Sequence, residues 1–275
     1  MGEEVRYHKL RPGQIVARRK ACPIAYVPIG TIEWHGEHLP VGADTLQAEA
    51  IAVRCAEKGG GLAFPALYYG ESRVESLMDS GAADKSLIHK KMELPDENFE
   101  GDKQPFSAME QVQNYCKLLL HILAEVESLG FAVGVLVAGH YPLIDHARAA
   151  VLQFNKRRYS KYHGMLAWAF LDYLPLEGEY GGLAGDHAGI WETSHMLAIE
   201  PETVDIKALG EKGEKMIGVL GESDPREASA EFGRQTLEKA VDIAIAEAHH
   251  RLKHRELYTG HGCCLREGLW RRKGE

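Results

Sequence analysis

Four short apolar runs, at residues 24–29, 62–67, 132–138 and 165–171, constrain this chain more than any other feature. None contains a charged residue, and all fall far short of the ~20 residues that span a bilayer. A short, uninterrupted apolar run is the pattern of a strand buried on both faces, which is the usual state of a strand in a parallel sheet. The intervening segments carry helical periodicity instead. Residues 44–57 show it through Leu46, Ala50 and Val53, and residues 107–129 through Val112, Leu119, Leu123 and Val126. Residues 143–156, 189–199 and 226–254 read as further helices. Alternating strands and helices predict a single α/β domain over residues 1–275, a three-layer α/β/α sandwich with a mostly parallel central sheet. Residues 72–105 fit no element cleanly. This charged insert, with Asp84, Lys85, Lys90, Lys91 and Glu93, is expected to serve as a flap over a site or as a subunit contact.

Charge narrows the partners. The 275 residues hold 32 basic and 40 acidic side chains, a formal net charge of −8, with no Lys/Arg-rich block. That balance lacks the electrostatic footprint of a nucleic-acid or anionic-membrane binder, so neither partner is expected. Acids at Glu3 and Glu4, where a secretory signal would carry bases, point to the cytoplasm. Five irregularly spaced cysteines imply no disulfide framework. Cys263 and Cys264, beside His261, have no second pair to complete a tetrahedral ligand set and are read as ordinary thiols.

In open α/β sheets, ligands bind beyond the carboxyl ends of the strands. Three such places carry metal-ligand chemistry: Glu33, His35 and His38 with Asp44 after the first run, His140 after the third, and Asp186, His187 and Glu192 beyond the fourth. Each residue also has an ordinary reading. Asp44 with Gln47 three residues on fits a capping box, and His140 could be a core histidine. The ordinary readings weaken together, because Glu33, His35, Asp44, His140 and Glu192 all fall where this architecture puts a ligand site. Two divalent ions and one bridging hydroxide would balance the three carboxylates of that set. Two neutral imidazoles complete a mixed nitrogen and oxygen donor set suited to Zn²⁺ or Mn²⁺. A carboxylate shared by both ions, expected to be Asp44, would hold them about 3.5 Å apart. Tyr141 follows one ligand and Trp191 precedes another, so each is either core or pocket wall. Both are taken here, with His38, as substrate-binding. His250 and His254, at helical spacing, are read as surface residues, and His146, His163 and His195 as structural.

The stretch from Gly30 to Asp44 resembles the signature Gly-Ser/Thr-x-Glu-x-His-Gly-x-His-Leu-Pro…Asp of the creatininase family, with Glu33, His35, His38 and Asp44 in register. Residues 187–194 are similar to that family's His-Ala-Gly-x-x-Glu-Thr-Ser motif, and Gly139-His140 to the glycine-histidine pair of its central strand. The resemblance implies a dinuclear amidohydrolase acting on a small amide, lactam or formamide. One ion would lie on Glu33, Asp44 and His140 and the other on His35, Asp44 and Glu192, with His187 as general acid/base. It further implies a homo-oligomer, a hexamer as in creatininase. Pro142 stands where creatininase has a glutamate, and Leu183 where it has a tryptophan, so creatinine itself is not the expected substrate. Two alternatives are hydrolytic ring opening of an oxidised inositol such as 3-dehydro-scyllo-inosose, and a non-catalytic metal-dependent binding subunit.

Overall fold

A computed structural model describes residues 3–70, 82–99, 105–156 and 164–258. Four strands, β1 (Ile24–Ile29), β2 (Leu62–Ala63), β3 (Val133–Ala138) and β4 (Leu166–Leu171), form one all-parallel sheet in the order β2-β1-β3-β4. Eight α-helices are described: α1 (Pro12–Ala21), α2 (Ala43–Gly59), α3 (Lys85–Lys91), α4 (Ala108–Ser128), α5 (Leu143–Lys156), α6 (Glu177–Tyr180), α7 (Ile190–Ile199) and α8 (Ala230–Lys253). Alternate strand residues face opposite ways and make two cores. Tyr26, Val133 and Val135 pack with Ile51 of α2 and Val241 of α8. Val27 and Leu136 pack on the other face with Leu119 of α4 and Ala147 of α5. The result is the three-layer α/β/α arrangement that the apolar runs imply.

Departures from the expected elements have local causes. The second run forms a ladder only at Leu62–Ala63; Phe64 still donates to the Tyr26 carbonyl, and the isolated bridge between Ile29 and Leu67 then pairs one residue out of register, a bulge across the stretch that holds Pro65. Helix α1 was not expected, since it buries no residue and therefore shows no apolar stripe. The last helix begins at Ala230 rather than at 226, because Ser229 accepts the Phe232 N–H and caps it. Within the 72–105 insert, residues 82–99 form short helices, while residues 71–81 and 100–104 lie outside the described residues. So do His163, His261, Cys263 and Cys264. No described helix is long and apolar enough to cross a membrane.

Register decides where chemistry can gather. Ile29 pairs with Ala138, and Ala138 with Leu171, so β1, β3 and β4 end level. The residues that follow, Gly30, Gly139 and Asp172, therefore share one edge of the sheet. Two of them are glycine because the first turn of α2 lies directly against them. A Cβ on Gly139 would sit 1.8 Å from the Asp44 carbonyl oxygen, and one on Gly30 2.3 Å from Thr45 Oγ1. Only bare backbone lets α2 bring Asp44 to this edge. Gly139→Ala is accordingly expected to lower stability by about 1–3 kcal/mol, the usual cost of overpacking. Gly178→Ala, where a Cβ meets nothing within 4 Å, should stay within about 0.5 kcal/mol of the parent. Urea denaturation midpoints of the two variants check this, and equal midpoints would show that α2 can retreat.

Candidate metal centre

The loop after β1 turns inward at once. Glu33 and His35 are fully buried, and His38 is nearly so. The Glu33 N–H donates to the Val41 carbonyl at 2.9 Å, which closes the loop on itself just before α2. Asp44, one residue into α2, is buried beneath this loop. His35 Nε2 lies 2.9 Å from Asp44 Oδ1 and 3.5 Å from Glu192 Oε2. On the other side of Asp44, His140 Nδ1 lies 3.1 Å from its Oδ2 and 3.0 Å from Glu33 Oε2. The second ring nitrogen of His35 donates to the Glu33 carbonyl at 3.0 Å, which fixes the ring and leaves Nε2 facing the carboxylates.

Glu192 arrives from the first turn of α7. Asp186 holds that turn in place by accepting the N–H groups of Trp191, at 2.7 Å, and of Glu192, at 3.2 Å. Ala188 adopts a left-handed backbone, φ 53°, and its N–H donates to Glu192 Oε2 at 2.7 Å. His187 lies beside His35, with ring centroids 4.4 Å apart and the rings tilted by 40°, and its Nε2–H donates to the Trp34 carbonyl at 2.8 Å.

Three sets of donor atoms lie close enough together to hold an ion: Glu33, Asp44 and His140; His35, Asp44 and Glu192; and Glu33, His35 and His187. The first two share Asp44 and are the sets that the family resemblance implies. The donors are buried carboxylate oxygens and imidazole nitrogens, and this chemistry fits divalent Zn²⁺ or Mn²⁺.

A sequence model of the creatininase (creatinine amidohydrolase) family matches residues 8–79 and 103–248, well over half of the chain. The chain belongs to the creatininase family. Creatinine amidohydrolase of Pseudomonas putida is 26% identical over 195 residues, and the alignment spans 66% of each chain. A mutant creatininase described as Zn-Zn type superposes with a TM-score of 0.66 at 22% identity, covering 92% of this chain and 99% of that one. A structure described as creatininase Mn gives a TM-score of 0.62 at 22% identity, covering 91% and 99%. At such identities the likeness to these structures is one of fold.

Against that family frame, the residues expected to touch substrate part company. Tyr141 is 59% exposed, its ring 5.7 Å from that of Tyr173. Trp191 is corrected to a core residue. It is 1% exposed, packs with Tyr180 and Phe232, and donates its indole N–H to Asp172 at 2.9 Å. A helix start presents successive side chains in different directions, so the neighbour of a ligand points away from it. His38 is also interior, with Nε2 2.9 Å from Thr193 Oγ1. The sequence reading missed Asp172, although it directly follows β4 and so sits where that reading looks for ligands. His195, read as structural, is fully buried and bridges Gln47 of α2, at 2.9 Å, and Thr236 of α8, at 2.8 Å.

Electrostatics follow from the crowding of acids. Burial alone would lower the His35 pKa, but the Asp44 and Glu192 carboxylates outweigh it and push the pKa up to about 10. Burial raises Glu192 well above the usual carboxylate range. Asp44 goes down, because His35 and His140 outweigh its burial. With protein groups alone, the cluster therefore holds protons at neutral pH that a divalent ion must displace. Binding of Zn²⁺ at pH 7 should release at least one proton, and affinity should weaken as pH falls. Calorimetry in two buffers of different ionisation enthalpy reads the release, and buffer-independent heats would contradict it.

Proposed function

We propose that this chain is a dinuclear metal-dependent hydrolase that opens a C–N bond of a small cyclic amide, lactam or formamide. The observation that carries the reading is the pair of buried donor sets sharing Asp44. Glu33, Asp44 and His140 would hold one ion and His35, Asp44 and Glu192 the other. Two divalent ions bound there supply Lewis acidity toward a carbonyl oxygen and bring the pKa of a water toward neutrality. Zinc, manganese or one of each are the ions we assign, in keeping with the similar structures described as Zn-Zn type and as creatininase Mn.

His187 is the proton carrier in this reading. Its Nε2–H is engaged by the Trp34 carbonyl, so Nδ1 is the ring atom left to take and return a proton. Burial, followed by the positive charge of His35, lowers its pKa to about 4, which keeps the ring neutral near pH 7. Tyr141, exposed beside the ligand His140, offers a planar face to a ring-shaped substrate. Because Pro142 has no carboxylate and Leu183 no indole, creatinine is not the substrate that we assign.

We also place the chain in a closed homo-oligomer, a hexamer by family likeness. Phe106 and Met109, exposed at the start of α4, offer apolar contact surface for it. Sedimentation equilibrium at micromolar concentration should return a multiple of the chain mass, and a monomer would contradict the assembly. The cytoplasm is the compartment proposed, in keeping with the free thiols of Cys22, Cys55 and Cys116.

A screen of lactams, cyclic ureides, formamides and keto-inositols against the metal-loaded protein tests the substrate class. Hydrolysis of a keto-inositol alone would replace C–N by C–C cleavage. Two variants then test the roles. Asp44→Asn should lose both ions, because an amide cannot serve two donor sets with the same charge, and two tightly held ions in that variant would sink the shared role. His187→Ala should keep both ions and lose roughly 10²–10⁴ in turnover on the substrate found. Turnover within threefold of the parent would assign the proton to another group. Loss of one ion would make His187 a ligand, as the third donor set allows.

A further inference from the structure

We propose that Trp34 is a positioning residue for His187 and that the 82–99 insert acts on the centre through it. The inference rests on the reading of His187 as proton carrier. Trp34 stands between two candidate ligands, Glu33 and His35, yet its side chain leaves the centre and enters a separate small core with Ile88 and Leu94 of the insert and Ile217. It is 6% exposed, and its indole N–H donates to the Ile217 carbonyl at 2.8 Å. Gly218 lies close against the ring, with φ 62°, and a Cβ there would fall 2.6 Å from Trp34 Cδ1. A glycine is therefore required on two grounds, conformation and space.

The same loop grips His187. Residues 187 and 220 exchange both backbone hydrogen bonds, each 2.8 Å, as a two-residue antiparallel bridge. The contacts close a ring. The His187 backbone is held by Leu220, two residues on from the Gly218 that presses on the Trp34 indole, and the Trp34 carbonyl accepts the His187 Nε2–H at 2.8 Å. Main chain and imidazole of His187 are thus fixed by two loops, those carrying Leu220 and Trp34, which the indole joins. The insert clamps both loops from outside. Asp84 accepts the Gly218 N–H at 3.0 Å and pairs with Lys215, Lys91 pairs with Glu37 at 2.7 Å, and Ile88 is 1% exposed against Trp34.

This arrangement selects a tautomer. A neutral imidazole can carry its proton on either nitrogen, and only the Nε2–H form satisfies the Trp34 carbonyl. If the indole loosens, the peptide carrying that carbonyl can rotate, and the tautomer preference goes with it. Trp34 offers no ligand atom, so an effect confined to His187 is separable from loss of the centre.

Nitrogen-15 NMR of the full-length protein, labelled at histidine and loaded with Zn²⁺ as the probe metal, reads the tautomer directly. The His187 signals are assigned by their loss in His187→Gln. The parent should show a single form with Nε2 protonated and Nδ1 bare. Trp34→Leu, and independently Ile88→Ala from the insert side, should replace it by averaged signals of two tautomers at unchanged zinc content. The second variant covers the case in which the first does not fold. A single Nε2–H form persisting in the folded variants would overturn the proposal, as would an Nδ1–H form in the parent or a loss of zinc that tracks the spectral change. The proton-carrier reading fails by a different result, full turnover in His187→Ala, which leaves these spectra to decide the positioning role alone.

Discussion

Three carboxylates, those of Glu33, Asp44 and Glu192, are brought into one buried volume, where the groups facing them include the imidazoles of His35, His140 and His187. Buried charge is costly unless it is neutralised by something equally close. Protons can do this in part, which is why His35 is driven up toward 10 and Glu192 above the normal carboxylate range. Divalent cations do it better, and they suit a donor set of oxygen and nitrogen. The chain keeps this unfavourable gathering of acids because the rest of the fold leaves them nowhere else to go.

How the fold enforces it is local and specific. Level strand ends put three loops on one edge of the sheet, and bare glycines at two of those ends admit the first turn of α2. Beneath, the fully buried His195 ties α2 to α8, and Asp172 after β4 holds the Trp191 indole of α7. Asp186 and the strained Ala188 aim Glu192 from the start of that helix. The five candidate ligands therefore come from four parts of the chain, the loop after β1, α2, the turn after β3 and α7, and these are fixed by contacts that have no part in the chemistry. Above the centre, the insert adds a second support through Trp34, so the loop carrying Glu33 and His35 is held on both sides.

Much of this was legible in the sequence, for definite reasons. Strands buried on both faces leave uninterrupted apolar runs, and a ligand site at strand ends leaves acids and histidines just after them, so the sheet and the five clustered donors could be read together. What escaped was whatever has no periodicity or depends on direction. Helix α1 buries nothing and so leaves no stripe. Trp191 neighbours a candidate ligand in sequence, but the helix turns it into the core, a distinction that adjacency does not carry. The Trp34 indole joins residues 88 and 217, which are remote along the chain, and nothing in a linear pattern announces such a contact. Asp172 was visible at a strand end but carries no motif around it.

The central claim is that these buried acids require two cations, and a zinc titration followed by both mass spectrometry under native conditions and thermal unfolding tests it most directly. The account predicts that the chain takes up two equivalents of Zn²⁺ and no more at high affinity, and that Tm rises through both equivalents, because an ion that binds only the folded state stabilises it. Saturation at one equivalent, or two equivalents bound with no rise in Tm, would contradict it.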